Sequence, residues 1–292
     1  MYRVGILGTE NSHAMAFAEE INLPGADGKV KYPDFKVVAL YASERQPSEE
    51  IVEKCGKDIV IYDKPEDMLG KIDCAMITSR HGKFHKELAM PFIKAGLPCF
   101  IDKPFTISID DMNEVVAEAA KSGSPLSGGS GCKYIPELFE MRDVIKAGEL
   151  GKLRSGVITF PAEMDSEYGG FYFYASHLIE MTITAFGKDI KSILACENGG
   201  NLIAIARYDG FDVVMDFVQN GYYTATAYFE RGNCVKTPCL DTIYAAELEQ
   251  FINMVRSGKS SLDIGELTQP VYILNAIEKS LNEKREVALS EF

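Results

Sequence analysis

Three of the four histidines, His13, His81 and His85, sit in or beside short polar stretches that each follow an apolar run. Histidine is the side chain whose unperturbed pKa lies nearest neutrality, so such clustering points to proton transfer or metal binding. The stretches are Gly8-Thr9-Glu10-Asn11-Ser12-His13, Thr78-Ser79-Arg80-His81 and Asp102-Lys103-Pro104. The first has the order a phosphate-binding turn requires: an apolar run, a glycine, then a helix start whose backbone N–H groups favour an anion. As a dinucleotide fingerprint it is incomplete. With Gly8 as the first glycine, Glu10 stands at the second, where backbone should approach a pyrophosphate, and a carboxylate there repels it unless turned away. Asn11 and Ser12 can cap the helix. A capped strand-to-helix turn without a ligand is the plainer alternative. His81 and His85, four apart, could also present two imidazoles on one helical face, with Asp102 and His177 completing a metal site, although no glutamate lies between them as in zinc hydrolases.

These stretches need a frame. Apolar runs at 3–7, 35–42, 59–61, 73–78 and 98–101 alternate with helical patterns starting near Ser12 and spanning about 47–56, 65–70, 83–95 and 108–122. Near-continuous apolar strands between helices predict a parallel sheet covered on both faces, a doubly wound Rossmann-like domain. In such a sheet ligands bind beyond the carboxyl ends of the strands, where all three polar stretches fall. Pro91 should kink the 83–95 helix. The glycine-rich segment 127–131 reads as a sixth strand that approaches something closely, and a helix follows at 136–147. From Lys152 the pattern becomes alternating, at 153–160, 190–196, 202–208, 213–218 and 222–229, which predicts a largely antiparallel sheet with one wet face. Helices are expected at 175–186, 242–257 and 266–282. The fold class is therefore α/β followed by α+β, divided as residues 1–124 and 125–292.

At the end of the second strand, Leu40-Tyr41-Ala42-Ser43-Glu44-Arg45 places Ala42 where a ribose-binding acid is expected. Ser43 with Arg45 could accept a 2′-phosphate, which favours NADP over NAD, while Glu44 is an alternative ribose ligand. The chain carries 43 acidic and 30 basic residues, a formal charge of −13, which argues against nucleic acid as a partner. No apolar run reaches the roughly 18 residues of a membrane helix. The N-terminus has no signal-peptide pattern, and the seven cysteines form no CxxC pair. The expectation is a cytoplasmic protein with reduced thiols.

With Asp102-Lys103-Pro104 the chain resembles the Gfo/Idh/MocA oxidoreductases, the relatives of glucose–fructose oxidoreductase and inositol dehydrogenase. Their Glu-Lys-Pro after the fifth strand is Asp-Lys-Pro here. Ile77-Thr78-Ser79-Arg80-His81-Gly82-Lys83-Phe84-His85 is similar to their Thr-Pro-Asn-x-x-x-His stretch, with Ser79 and Arg80 replacing proline and asparagine. Lys133-Tyr134-Ile135-Pro136 resembles their Arg-x-x-Pro, and Gly169-Gly170 followed by His177 their glycine turn and histidine. The run from Glu247 to Phe251, then Gly258 and the last helix, also fits.

The resemblance implies hydride transfer between a nicotinamide cofactor and the carbinol carbon of a sugar, cyclitol or similar polyol. It implies a cofactor site formed by Gly8, Thr9, Glu10, Asn11, Ser12, His13, Ser43, Arg45, Thr78, Ser79, Arg80, His81, His85, Asp102 and Lys103. Lys103 would hydrogen-bond the reacting hydroxyl or the nicotinamide ribose, and His177 would be the general base or acid. The family often has aspartate four residues before that histidine, and here position 173 is Phe. Tyr172 or Tyr174 could supply a proton relay instead, and Tyr174 is the preferred candidate. Glu180 is a further candidate unless it forms a surface pair. The departures at Glu10, Ala42 and Phe173 leave a second reading open, a non-catalytic dinucleotide-binding or regulatory relative. The aromatic and aliphatic residues of the second sheet (Ile205, Tyr208, Val213, Phe217, Tyr223, Tyr228) suggest a homodimer or homotetramer formed through it.

Overall fold

Four consecutive buried residues end β1 (Tyr2–Leu7), the signature of a strand covered on both faces. In the computed structural model, which describes residues 1–219, 221–260 and 262–292, β1 is central to a six-stranded sheet. Its partners are β2 (Phe35–Tyr41), β3 (Val60–Ile61), β4 (Cys74–Ile77), β5 (Cys99–Ile101) and β6 (Leu126–Gly128), in the order β3-β2-β1-β4-β5-β6 and all parallel. This is the dinucleotide-fold order, with its topological switch between β1 and β4. The crossovers carry α1 (Ser12–Asn22), α2 (Gln46–Cys55), α3 (His85–Lys94) and α4 (Ile109–Ser122). The helix expected at 65–70 is a single 3-10 turn, Pro65–Met68. Helix α3 runs through Pro91 to Lys94.

The sixth strand is present, and Gly128 explains its composition. Its φ is +135°, and a Cβ there would lie 1.8 Å from the Ile101 carbonyl oxygen on β5. No other residue fits that approach.

The chain forms two compact units, residues 1–129 with 244–267 and residues 130–243 with 268–292. This differs from a break at 124/125 with all later helices in the second domain. Helix α7 (Ile243–Ser257) buries Leu248, Phe251, Ile252 and Val255 in the same apolar cluster as Val4 and Ile6 of β1, Phe17 and Ile21 of α1, and Phe100 of β5. Outside the core, Arg256 makes a two-point contact with Asp34, at 2.9 and 2.7 Å.

The second unit opens with α5 (Pro136–Ala147) and β7 (Leu153–Pro161), then α6 (Tyr172–Phe186). Strands β8 (Ser192–Asn198), β9 (Asn201–Arg207), β10 (Asp212–Val218), β11 (Thr224–Phe229) and β12 (Gly232–Lys236) follow, and β13 (Val287–Ala288) closes the chain after α8 (Ile264–Glu283). The sheet order is β12-β11-β7-β10-β9-β8-β13, antiparallel except where β7 meets β10. Burial alternates along β7, β9 and β10 as expected. The six residues expected to build one association face do not share it. Val213 and Phe217 are fully buried, whereas Ile205 is half-buried and Tyr228 exposed. Among the described residues no helix is long and apolar enough to cross a membrane.

Candidate functional site

The loops after β1, β4 and β5 meet in one hydrogen-bonded cluster. Gly8 has φ +92°, and a Cβ on it would fall 2.2 Å from the Ser79 backbone nitrogen, so the first loop can touch the β4 loop only through glycine. The fully buried Thr78 fastens the same contact, its hydroxyl donating to the carbonyls of Leu7 (3.2 Å) and Gly8 (3.0 Å). Thr9 and Ser48 hydroxyls bond at 2.7 Å, which ties the loop to α2. Asn11 caps α1 by accepting the His13 N–H.

Glu10 is turned aside. Its carboxylate accepts the Arg80 backbone N–H at 3.2 Å, which relieves the conflict its position raised in the sequence. It still borders a cleft of about 200 Å³ together with Gly8, Ala42, Ser43, Ser79 and Leu88. Arg45 is not on that cleft. It begins α2 with its side chain 57% exposed and pairs with Glu49 and Asp63 at 3.3 Å.

Asp102 is the buried centre of the cluster, with no exposed surface. One carboxylate oxygen accepts from Asn11 Nδ2 at 3.1 Å and lies 2.8 Å from His13 Nδ1 as an ion-pair contact, and the other takes the Lys103 N–H at 2.7 Å. Burial raises the pKa of this carboxyl, but His13 and Lys103 outweigh it and hold the group below the ordinary aspartate value. The His13 ring lies edge-on to Tyr244 of α7 and Phe17 of α1, at 4.6 and 5.9 Å between centroids. His13 does not line the cleft. Lys103, 4% exposed, precedes a cis bond to Pro104.

His85 is fully buried and spans two loops. Nδ1 lies 2.8 Å from the Pro104 carbonyl and Nε2 2.7 Å from the Ser79 carbonyl, so the ring latches the β4 loop to the segment beside Lys103. His81 caps the turn Gly82–Phe84, its Nδ1 accepting the Lys83 N–H. Burial, helped by Lys83 and His85, lowers its pKa. These contacts occupy both nitrogens of His85 and one of His81, which removes the paired-imidazole metal site. Among the described residues no three histidine, cysteine or acidic side chains are placed to hold a metal ion.

In the second unit, α6 carries His177 and Glu180 one turn apart, both nearly buried. His177 Nδ1 lies 2.7 Å from the Ser130 hydroxyl and 3.5 Å from Cys132 Sγ. Glu180 is not on the surface. It takes the Ser130 N–H at 3.0 Å and pairs with Lys133 Nζ at 3.1 Å, with both side chains under 10% exposed. Ser130, Cys132 and Lys133 escaped notice in the sequence as site residues, although Glu180 at i+3 from His177 was a signal that a polar neighbourhood continued along that face. Tyr174 lies against His177, with centroids 5.8 Å apart. Tyr172 does not join it; its hydroxyl donates to Glu278 at 2.9 Å, and burial with that carboxylate drives the phenol pKa up. The Phe173 ring packs with Tyr168 and Tyr174.

Residues 2–130 match the family described as "Oxidoreductase family, NAD-binding Rossmann fold" (GFO_IDH_MocA). The scyllo-inositol 2-dehydrogenase (NADP(+)) IolU of Bacillus subtilis is 23% identical over 238 residues, which cover 73% of this chain and 71% of that protein. In structure the chain is similar to a probable dehydrogenase from Thermotoga maritima, with a TM-score of 0.83, 19% identity and 99% of both chains covered. It is also similar to the scyllo-inositol dehydrogenase of Lactobacillus casei with bound NAD(H) and scyllo-inositol, with a TM-score of 0.81, 13% identity and 99% of both chains covered. These structural likenesses establish the fold over the full chain. Residues 2–130, which carry the six-stranded parallel sheet and its polar loops, are thus similar to the NAD-binding Rossmann domain of the Gfo/Idh/MocA oxidoreductases.

Proposed function

We propose that this protein is a nicotinamide-dependent oxidoreductase acting on a carbinol carbon of a polyol, with inositols and related cyclitols or sugars as the substrate class. The carrying observation is the cleft at the ends of β1 and β2, which Gly8, Ser43 and Ser79 line and where the Glu10 carboxylate is engaged by the Arg80 N–H. Gly8, Ser43 and Ser79 are the residues that would hold a dinucleotide there. When bound, the dinucleotide supplies the hydride acceptor or donor. Lys103, anchored through its own N–H to Asp102, hydrogen-bonds the reacting hydroxyl or the nicotinamide ribose and stabilises alkoxide charge as it develops. His177 takes the hydroxyl proton in oxidation and returns it in reduction. Tyr174 is the candidate relay beside it.

NADP is the preferred form in this reading. The cleft wall at the end of β2 is Ala42 and Ser43, its carboxylates Glu10 and Glu87 coming from the loop after β1 and from α3, and the Bacillus relative is named for NADP(+). Ser43 carries that preference more than Arg45, which would have to leave Glu49 and Asp63. The aromatic side chain at Phe173 favours a second reading, a dinucleotide-binding regulator without turnover. Two measurements separate them. NADPH or NADH at 100 times its dissociation constant should stabilise the fold by about 2.7 kcal/mol. Lys103→Met should then abolish polyol oxidation while keeping dinucleotide affinity. An absent thermal shift at millimolar dinucleotide refutes both readings, and binding without turnover of any polyol leaves the regulator.

Self-association through the second sheet is part of the same proposal. Val235, Thr226, Val157, Val214, Ile205 and Leu194 are register partners across six strands, and together form a continuous, largely apolar row on the outer face. Val235 is 59% exposed. Light scattering in solution should give a dimer or tetramer mass; a monomer mass removes this part.

A further inference from the structure

We propose that Ser130 is the positioning residue for His177, fixing the ring through Nδ1 so that Nε2 is the nitrogen that exchanges protons. The proposal rests on the oxidoreductase reading above for its chemical consequence, and on the geometry of the second unit for its substance.

A histidine that moves protons at one nitrogen needs the other one fixed, because an unanchored ring flips and samples both tautomers. The helical position one turn before His177 offers Phe173, which has no acceptor and packs among Tyr168 and Tyr174. The anchor instead comes from outside α6, from the segment that follows β6. Ser130 Oγ stands 2.7 Å from Nδ1, while Cys132 Sγ, a weak hydrogen-bonding group, is at 3.5 Å. The hydroxyl is the effective partner.

Ser130 is itself held at both ends. It has no exposed surface, its N–H donates to Glu180, and its hydroxyl oxygen accepts the Cys132 N–H at 3.0 Å. Glu180 is fixed in turn by Lys133. One lone pair of the hydroxyl is therefore used, and the remaining lone pair faces Nδ1. The serine accepts from Nδ1–H in the neutral ring and again in the imidazolium, so it supports His177 before and after proton transfer at Nε2 without adding a buried charge. In oxidation the substrate O–H bond breaks, its proton forms a bond at Nε2, and the carbinol hydride leaves to the oxidised nicotinamide. Ser130 meanwhile accepts from Nδ1–H.

The experiment is long-range proton–nitrogen NMR on the full chain labelled with 15N-histidine, with His177 assigned through His177→Gln. At a pH where the ring is neutral, wild type should show two well-separated ring nitrogens, the mark of a single tautomer. Ser130→Ala should bring them towards averaged positions, and Ser130→Thr, which keeps a hydroxyl, should restore the separation. The kcat for polyol oxidation should fall about tenfold in Ser130→Ala, as expected for one lost orienting hydrogen bond, and recover in Ser130→Thr. Averaged nitrogens in the wild type overturn the proposal without any variant. So does a Ser130→Ala spectrum unchanged from wild type. If wild type oxidises no polyol, the oxidoreductase reading fails, while the tautomer measurement still decides the role of Ser130.

Discussion

Removing the Asp102 carboxylate should be among the most damaging single changes in the first unit, for reasons the geometry makes countable. The group is fully buried, accepts two hydrogen bonds, from Asn11 at 3.1 Å and the Lys103 N–H at 2.7 Å, and lies 2.8 Å from His13 Nδ1. Asp102→Ala leaves two buried donors and the His13 ring facing a small void. Summing the bonds would exaggerate the loss, since the carboxylate was itself costly to bury; breaking one side of a buried pair typically costs about 3–5 kcal/mol. For a unit of this size each kcal/mol corresponds to roughly 2–4 °C, so the melting temperature should drop by about 6–20 °C. The pH dependence follows from the depressed carboxyl pKa, in which His13 and Lys103 outweigh burial. A carboxyl held below its unfolded value, about 3.9, stabilises fully above that value and loses its contribution as pH falls through the folded value. The gap between Asp102→Ala and wild type should therefore be widest near neutrality and should narrow below about pH 4. Differential scanning calorimetry at several pH values measures both. A change of under about 2 °C at pH 7, or a gap that widens on acidification, would refute the reasoning.

Other outcomes follow from packing and burial. Phe251→Ala removes a fully buried ring of α7 that meets Phe100 of β5 edge-on, so it should cost about 3–5 kcal/mol in the first unit; a cost under about 1 kcal/mol would detach α7 from that core. Thiol labelling at pH 8 should modify the exposed Cys196 and Cys239 rapidly. Cys55 and Cys99, pushed up by burial to about 11 and about 12, should react only in denaturant, and rapid native labelling of either contradicts their placement.

Most of the first sheet was legible because buried parallel strands have a strong local signature. The strand before Gly8, the helix from Ser12 and the close approach implied by the glycines around position 128 can be read from neighbours in sequence. Membership of α7 could not. Its apolar stripe declares a buried face without naming what buries it, and the cluster it joins is built from residues between Val4 and Phe100, far away in sequence. Edge strand β12 escaped for a different reason. Gly232-Asn233-Cys234-Val235-Lys236 has little apolar alternation, and its strand character comes from pairing with β11. The 3-10 turn at Pro65–Met68 has the composition of a helix start but not the length.

The polar residues divide by how far away their partners lie. Gly8, Ser43 and Ser79 stand out in the sequence by type and position at strand ends, where a parallel sheet opens, and the structure places them on one cleft. His13, Asp102 and His85 looked like ligand-binding groups by the same criterion, yet each is engaged by protein atoms from another loop. Their chemistry is spent on holding loops together. Glu10 shows the converse: a carboxylate that looked incompatible with an anion is tolerated because a backbone N–H seventy residues away engages it. The same logic applies around His177, where the position that ought to carry a carboxylate is aromatic and the polar partner arrives from Ser130, forty-seven residues earlier. A histidine one turn from a phenylalanine reads as unsupported only while the search is confined to its own helix. What supports it is the short stretch after a parallel strand, where Gly128 lets the chain pass close to β5 before Ser130 enters the second unit. The glycines read as a close-packed sixth strand thus set the course of the segment that carries Ser130.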